Sequence, residues 1–355
     1  MRADANRGWD PMKALMKEYP KPGLSLVDIE KPQIKNPDDV LFEVKFCAIC
    51  VGETKVYDWT EWAASDRTLQ LPTVLGHEAS GVVVEVGDEV KQFKPGDRIT
   101  IDVSIHCGHC RQCRSGATNV CENLEIYGKR RGAFAQFAVL PQRVICRLND
   151  RLSLEEGALM ENFGVAVHAV DLEHHDVGDW AVIVGGAGPI GIMAAQTLLA
   201  CGVNTIINDI LDWRLDFARR LASAVVVDAR KEDPVQEVME LTSGKGADFV
   251  IEMGANQNVI DHAFDMVRIR GTIVTIGTFN KPISFNPFFK MSRREIRLQS
   301  MMGRTWETWR RMNQLIDSGK INLKPLITHV LPMEDYRKAF ELAKSHEVMK
   351  VLLKP

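Results

Sequence analysis

The stretch VIVGGAGPIG, residues 182–191, constrains this chain more than any other. It sets G-x-G-x-x-G at Gly186, Gly188 and Gly191, after an apolar run that reads as a strand and before a segment that reads as a helix. Glycines at these positions allow a tight turn, let the backbone approach a pyrophosphate, and let the helix pack close to the sheet. The phosphates then meet free N–H groups and the positive end of a helix dipole. Pro189 and Ile190 belong to the same turn, and Gly277, after the later run GTIVTIG, is read as a further cofactor contact. Asp209 ends the next predicted strand, 18 residues after Gly191. A carboxylate there accepts hydrogen bonds from a ribose and repels a 2′-phosphate, which favours NAD over NADP; Arg214 nearby leaves room for NADP. The alternative is a structural turn with Asp209 as a helix cap.

From about residue 165 strands and helices alternate: VNTIINDI, LDWRLDFARRLAS, AVVVDA, PVQEVMELTSG, ADFVIEMGA, then a helix around VIDHAFDMVR. That alternation predicts βαβ units and a doubly wound parallel sheet. Residues 24–150 read differently, as short strands broken by turns (VLFEVKF, SGVVVEVG, DRITID, AFAQFAVL), the texture of a β-rich domain. After about residue 301 the pattern turns irregular and closes on a helix, MEDYRKAFELAKS, and a strand, VMKVLL. The 355 residues suffice for two domains, an α/β architecture. A net charge of −3 gives no general pull toward nucleic acid or anionic membrane. The longest apolar run is broken by glycines and a proline, so no membrane span is expected. The N-terminus has no apolar segment of the signal-peptide kind, which reads as cytoplasmic.

Eight cysteines in such a chain point to metal or redox chemistry. Cys107, Cys110, Cys113 and Cys121 have the spacing C-x2-C-x2-C-x7-C, and four thiolates close a tetrahedral structural Zn²⁺ site. An iron–sulfur cluster has the same ligands, and Arg111 and Arg114 would suit a nucleic-acid ribbon. The missing second cluster run and the net-acidic chain weigh against both. LGHEASG supplies His77 and Glu78, and LMENFGVAVHAV supplies Glu161 near a helix start. Singly these are a turn histidine and a helix-terminal carboxylate. With Cys50 they offer the N, S and O donors of a catalytic zinc.

In these features the chain resembles the zinc-containing medium-chain dehydrogenase/reductase superfamily, through GHEASGVVVEVG, the four-cysteine lobe and GAGPIG. It is similar above all to the threonine 3-dehydrogenase and sorbitol dehydrogenase branch, through YDWTEWA, FGVAVHA, GRTWETW and ITH. The first eleven residues look like an extension to that pattern. The resemblance implies a GroES-like catalytic domain over 1–164 and 302–355, a Rossmann NAD domain over 165–301, two zinc ions and NAD per chain, and a homodimer or homotetramer. It assigns Cys50, His77 and Glu161 to a catalytic zinc, with Glu78 as a further or exchangeable ligand. The alternation Val40, Phe42, Val44, Phe46 also shares parity with Cys50, while Cys47 follows Glu43 and Lys45.

The chain departs from that family after Cys50. Where Cys-Gly-Ser/Thr-Asp-x-His is usual, it reads Cys50-Val51-Gly52-Glu53-Thr54-Lys55, so the hydroxyl and imidazole of the proton relay are replaced by Gly52 and Lys55. Ser104 stands where threonine dehydrogenases carry a histidine. Lys55 can act as a base, as an anchor for a substrate anion, or as a loop lysine paired with Glu53. Thr54 could restore a relay hydroxyl. Trp59, Trp62, Trp306 and Trp309 are candidates to line the cleft or to pack. The reading is a zinc- and NAD-dependent dehydrogenase acting on a secondary hydroxyl of a small polar compound (a polyol, sugar acid or other hydroxylated anion), with threonine as the alternative. An epimerase that retains NAD and a non-catalytic zinc-stabilised binding protein are the readings from other classes.

Overall fold

A computed structural model describes residues 10–355. The chain separates into two compact units, one from residues up to 110, 122–161 and 327–355, the other from 111–121 and 162–326. Most of the expected N-terminal extension lies outside the described residues; Pro11, its last residue, pairs with Glu30 in a sheet.

The first unit is built around a seven-stranded sheet. Its order is Ile145–Arg147, Arg98–Ile101, Glu78–Val86, Asp39–Ala48, Lys350–Lys354 and Ile327–Pro332, with Phe137–Pro141 also paired to Asp39–Ala48. A three-stranded sheet, Ser25–Glu30, Pro11–Lys17 and Thr73–Val74, belongs to the same unit. The apolar positions of these strands, among them Val40, Phe42, Val44, Val83, Ile99 and Leu353, form one buried core. The short helices Val51–Asp58 and Glu61–Ser65 follow the strand Asp39–Ala48 directly.

The second unit carries six strands, all paired parallel, in the order Val225–Asp228, Asn204–Asp209, Trp180–Val184, Ala247–Glu252, Val267–Thr275, Arg297–Ser300. This is the doubly wound order, with the chain reversing direction across the sheet beside Trp180–Val184. Val182, Val184, Ile206, Val250 and Ile273 are buried in its core, as near-continuous apolar runs in a covered parallel sheet require.

Two expectations are corrected here. Residues 302–326 pack in the second unit, so the boundary expected at 302 falls at Ile327. Asn322 and Gln196 exchange hydrogen bonds, and Arg311 pairs with Asp171 at 2.7 Å. The supposedly irregular stretch after 301 also contains a twelve-residue helix, Trp306–Asp317, capped by Thr305. It buries Trp309, Met312, Leu315 and Ile316, the single apolar face of an amphipathic helix. Among the described residues no helix is long and apolar enough to cross a membrane.

Candidate active site

The strand Asp39–Ala48 ends two residues before Cys50, and Cys50 is the N-cap of the helix Val51–Asp58 rather than part of a turn. Strand parity therefore does not reach Cys50. The ladder with Glu78–Val86 also shifts register between Leu41 and Phe42 and between Val44 and Phe46. Cys47 is fully buried within the apolar core. Cys50 instead meets His77 and Glu78, which arrive from the start of the neighbouring strand; their donor atoms lie within 4.8 Å of one another.

Glu161 is buried in the first turn of the helix Met160–Asp171. It is not part of the 4.8 Å group, but its charge acts on both Glu78 and Lys350. Burial and the charge of Glu78 push the Cys50 thiol above its ordinary pKa. A sulfur, an imidazole nitrogen and a carboxylate oxygen brought within 4.8 Å of one another form a donor set whose chemistry fits Zn²⁺.

Two further residues hold this set. Glu53 accepts the backbone N–H of Cys50 on one oxygen at 2.9 Å, and its other oxygen stands 2.8 Å from His77 Nδ1. A carboxylate on Nδ1 fixes the ring and leaves Nε2 for a metal. Burial opposes protonation of His77, yet the Glu53 and Cys50 charges raise its pKa well above the ordinary value. Lys350, from the last strand, donates to Glu78 at 2.5 Å and to the Ile49 carbonyl at 3.0 Å. Burial works against its charge, but Glu78 holds the proton on it. Sequence reasoning weighed Glu53 only as a partner for Lys55 and passed over Lys350. The signal for Glu53 was present: it is the N3 residue of a helix whose N-cap is a predicted ligand. Lys350 lies 272 residues from Glu78 in the chain and left no local signal.

Lys55 has no ion pair among the described residues; its ammonium lies over the Trp62 ring, 5.0 Å from the centroid. Thr54 donates its hydroxyl to the Val51 carbonyl at 2.9 Å, a bond internal to the helix. Ser104 is buried in a two-stranded ladder with Ile126. Trp309 is buried and Trp306 is half-exposed on their helix, while Trp59 packs on the core.

In the lobe, the four sulfur atoms of Cys107, Cys110, Cys113 and Cys121 lie within 4.8 Å of one another, and none forms a disulfide. Four converging thiols with no bridge are the donor set of a closed tetrahedral zinc site.

The glycine turn follows the strand Trp180–Val184 as expected. A Cβ on Gly191 would lie 1.9 Å from the Gly186 carbonyl oxygen, and one on Gly186 2.2 Å from Ile183, so neither position accepts a side chain. Gly188, the N-cap of the helix Pro189–Ala200, has no side-chain cap, and a Cβ there would meet only Arg214 Nη1 at 3.7 Å. Open amides at a helix N-terminus with a guanidinium beside them fit a pyrophosphate. Asp209 accepts N–H bonds from Ala187, Ile210 and Leu211, so it pins the turn and is not the cap of the following helix, which is Leu211. Its Oδ2 accepts only one of these bonds and keeps capacity for a ribose hydroxyl. Asn208, which sequence reasoning missed, accepts the Gly185 N–H on its side chain. Gly277 follows the strand Val267–Thr275 and donates to the Glu252 carbonyl.

A catalytic-type metal set and a dinucleotide turn in one chain define a class, and the chain belongs to it: the zinc-containing medium-chain dehydrogenase/reductase family, oxidoreductases that use zinc and NAD. The description "Alcohol dehydrogenase GroES-like domain" matches residues 36–150, and "Zinc-binding dehydrogenase" matches 189–318. Within the family the chain is 35% identical to the L-threonine 3-dehydrogenase of Idiomarina loihiensis over 96% of this chain and 99% of that protein. A zinc-binding dehydrogenase of Sinorhizobium meliloti, solved bound to NADP, is 27% identical with a TM-score of 0.88, covering 98% of this chain and all of that one. The 2R,3R-butanediol dehydrogenase of Bacillus subtilis is 27% identical with a TM-score of 0.87, covering 97% and 99%.

Proposed function

We propose that the protein oxidises a secondary hydroxyl of a small polar compound to the ketone, passing a hydride to NAD⁺ and a proton to solvent. The observation that carries this reading is the convergence of Cys50, His77 and Glu78, with Glu53 behind the imidazole. Bound there, zinc supplies Lewis acidity toward an alcohol oxygen, and NAD⁺ at the Gly186–Gly191 turn supplies the hydride acceptor. Cys50, His77 and Glu161 hold the metal in this reading, with Glu78 as the exchangeable ligand tethered by Lys350. Glu53 keeps His77 in one tautomer. Gly186, Gly188, Pro189, Ile190 and Gly191 receive the pyrophosphate beside Arg214, Asp209 the ribose, and Gly277 borders the same cofactor. Cys107, Cys110, Cys113 and Cys121 hold the second, structural zinc.

A polyol, sugar acid or other hydroxylated anion is the substrate class we infer. L-Threonine is the second reading, favoured by relatives at 35% identity that carry that name. Assembly as a homodimer or homotetramer in the cytoplasm belongs to the same reading. NADH formation by the zinc-loaded protein against polyols, sugar acids, hydroxysulfonates and L-threonine tests it. Turnover of one of these groups supports the dehydrogenase; NAD retained with no net NADH from any of them would favour an epimerase instead.

A further inference from the structure

Lys55 and Lys129 converge on one indole. The Lys55 ammonium lies 5.0 Å from the Trp62 ring centroid and the Lys129 ammonium 4.9 Å from it. Both lysines are adjacent to the metal-ligand set. Lys55 lies five residues beyond Cys50 in the helix that Cys50 caps, and Lys129 follows Gly128, where a Cβ would lie 3.1 Å from His77 Cβ. Trp62 reaches the same place from the next short helix: its Cη2 and Cys50 Sγ are each 3.9 Å from the position of a Cβ on Gly52. The missing side chain at Gly52 therefore leaves a small space between the indole and the ligand sulfur.

The charges in this group do not cancel. Lys129 is paired with Asp66 at 2.6 Å, whereas Lys55 has no carboxylate partner among the described residues. The Lys55 ammonium is thus left over an indole whose Cη2 faces Cys50 Sγ across the space beside Gly52. The Asp66 pair explains Lys129 as a loop pin, but it does not explain a second ammonium brought to the same ring against like-charge repulsion.

We propose that Lys55, Lys129 and Trp62 form the seat for an anionic group of the substrate, a carboxylate, sulfonate or phosphate carried by the secondary alcohol. This rests on the dehydrogenase reading above and narrows its substrate. Lysine ammonium groups recognise such anions as point charges, and the indole supplies a flat wall for the carbon skeleton between anion and carbinol. A substrate ammonium next to the anion is disfavoured here, because it would meet the two lysine ammonium groups at the ring while Asp66 is engaged by Lys129. The seat therefore selects hydroxy anions over the zwitterion threonine.

Two measurements test this on the zinc-loaded protein with NAD⁺. The first is the ratio of kcat/KM for β-hydroxybutyrate to that for sec-butanol, which share a carbinol and a chain length. We expect Lys55→Ala to lower that ratio by about tenfold or more, Lys55→Arg to restore part of it, and Lys129→Ala to lower it less. An equal ratio in wild type and both alanine variants would overturn the proposal. The second is tryptophan fluorescence titrated with acetate, methanesulfonate and inorganic phosphate, without turnover. A saturable response that is lost in Trp62→Phe and weakened in Lys55→Ala supports the seat; no response in wild type, or one unchanged in the double lysine variant, overturns it. If wild type forms NADH from neither alcohol, the titration alone decides the seat, while the dehydrogenase reading stands or falls on the panel of polyols, sugar acids, hydroxysulfonates and L-threonine.

Discussion

Glu53 and Lys55 stand two residues apart on one helix and face different chemistry. Glu53 turns inward to Cys50 and His77, and Lys55 turns to Trp62. If Glu53 orients His77, Glu53→Ala should weaken zinc at the Cys50 site by about 10- to 100-fold, read by competition with a chelator, and Glu53→Gln should weaken it less. Zinc held equally well by Glu53→Ala would remove Glu53 from the site. The ligand candidates were legible in the sequence because residue type and the motif GHE carry their own chemistry. What stayed hidden was direction. A sequence places Glu53 near Lys55, but only the helix geometry decides that its carboxylate meets His77. The alternation that favoured Cys50 over Cys47 selected the residue that joins the donor set, yet for a reason the fold does not use, since Cys50 begins a helix beyond the strand end.

At the level of elements, the turn at Gly186–Gly191 was readable because steric exclusion leaves a residue-type signature. Gly191→Ala forces a Cβ to 1.9 Å from a carbonyl oxygen, so it should abolish NAD binding in an equilibrium titration. Gly188→Ala has space and should keep a measurable, weaker affinity. Comparable affinities for the two variants would contradict the assigned geometry. The helix Trp306–Asp317 was missed because its four buried apolar residues are diluted by polar ones, and the apolar face emerges only at helical spacing. The last strand was expected; its function in holding the site was not. Lys350→Met would leave Glu78 buried without its partner and should cost about 3–5 kcal/mol, seen as a lower denaturant midpoint in the metal-free protein. Adding Glu78→Gln should recover part of that loss, and no coupling between the two substitutions would sink the pairing argument.

For the whole molecule, stability at alkaline pH offers a test independent of activity. Lys17 is buried, donates to the Lys21, Gly23 and Tyr57 carbonyls, and burial pulls its pKa down to about 8. The unfolded chain keeps that proton to the ordinary value of 10.5. Between these values the unfolded state binds more protons, so this group's contribution to stability rises with pH from about 8 to 10.5 and is flat below. The stability difference between wild type and Lys17→Met, from urea unfolding at several pH values, should shift in favour of wild type across that window; a difference constant with pH would show that Lys17 is not perturbed.

The division into two units was legible in outline because the change from short strands to strand–helix alternation is a change of period. The destination of residues 302–326 was not, because it depends on Asn322, Gln196, Arg311 and Asp171 meeting across more than a hundred positions.

The central claim is that two separate zinc sites, one at Cys50 and one in the four-cysteine lobe, coexist and that only the first supports hydride transfer. Zinc content and NADH formation measured side by side on wild type and Cys50→Ser test it most directly. The account predicts two zinc ions per chain in wild type, one in Cys50→Ser, and loss of NADH formation in the folded variant. A Cys50→Ser protein that keeps both zinc ions, or oxidises the same alcohol at the wild-type rate, would contradict it.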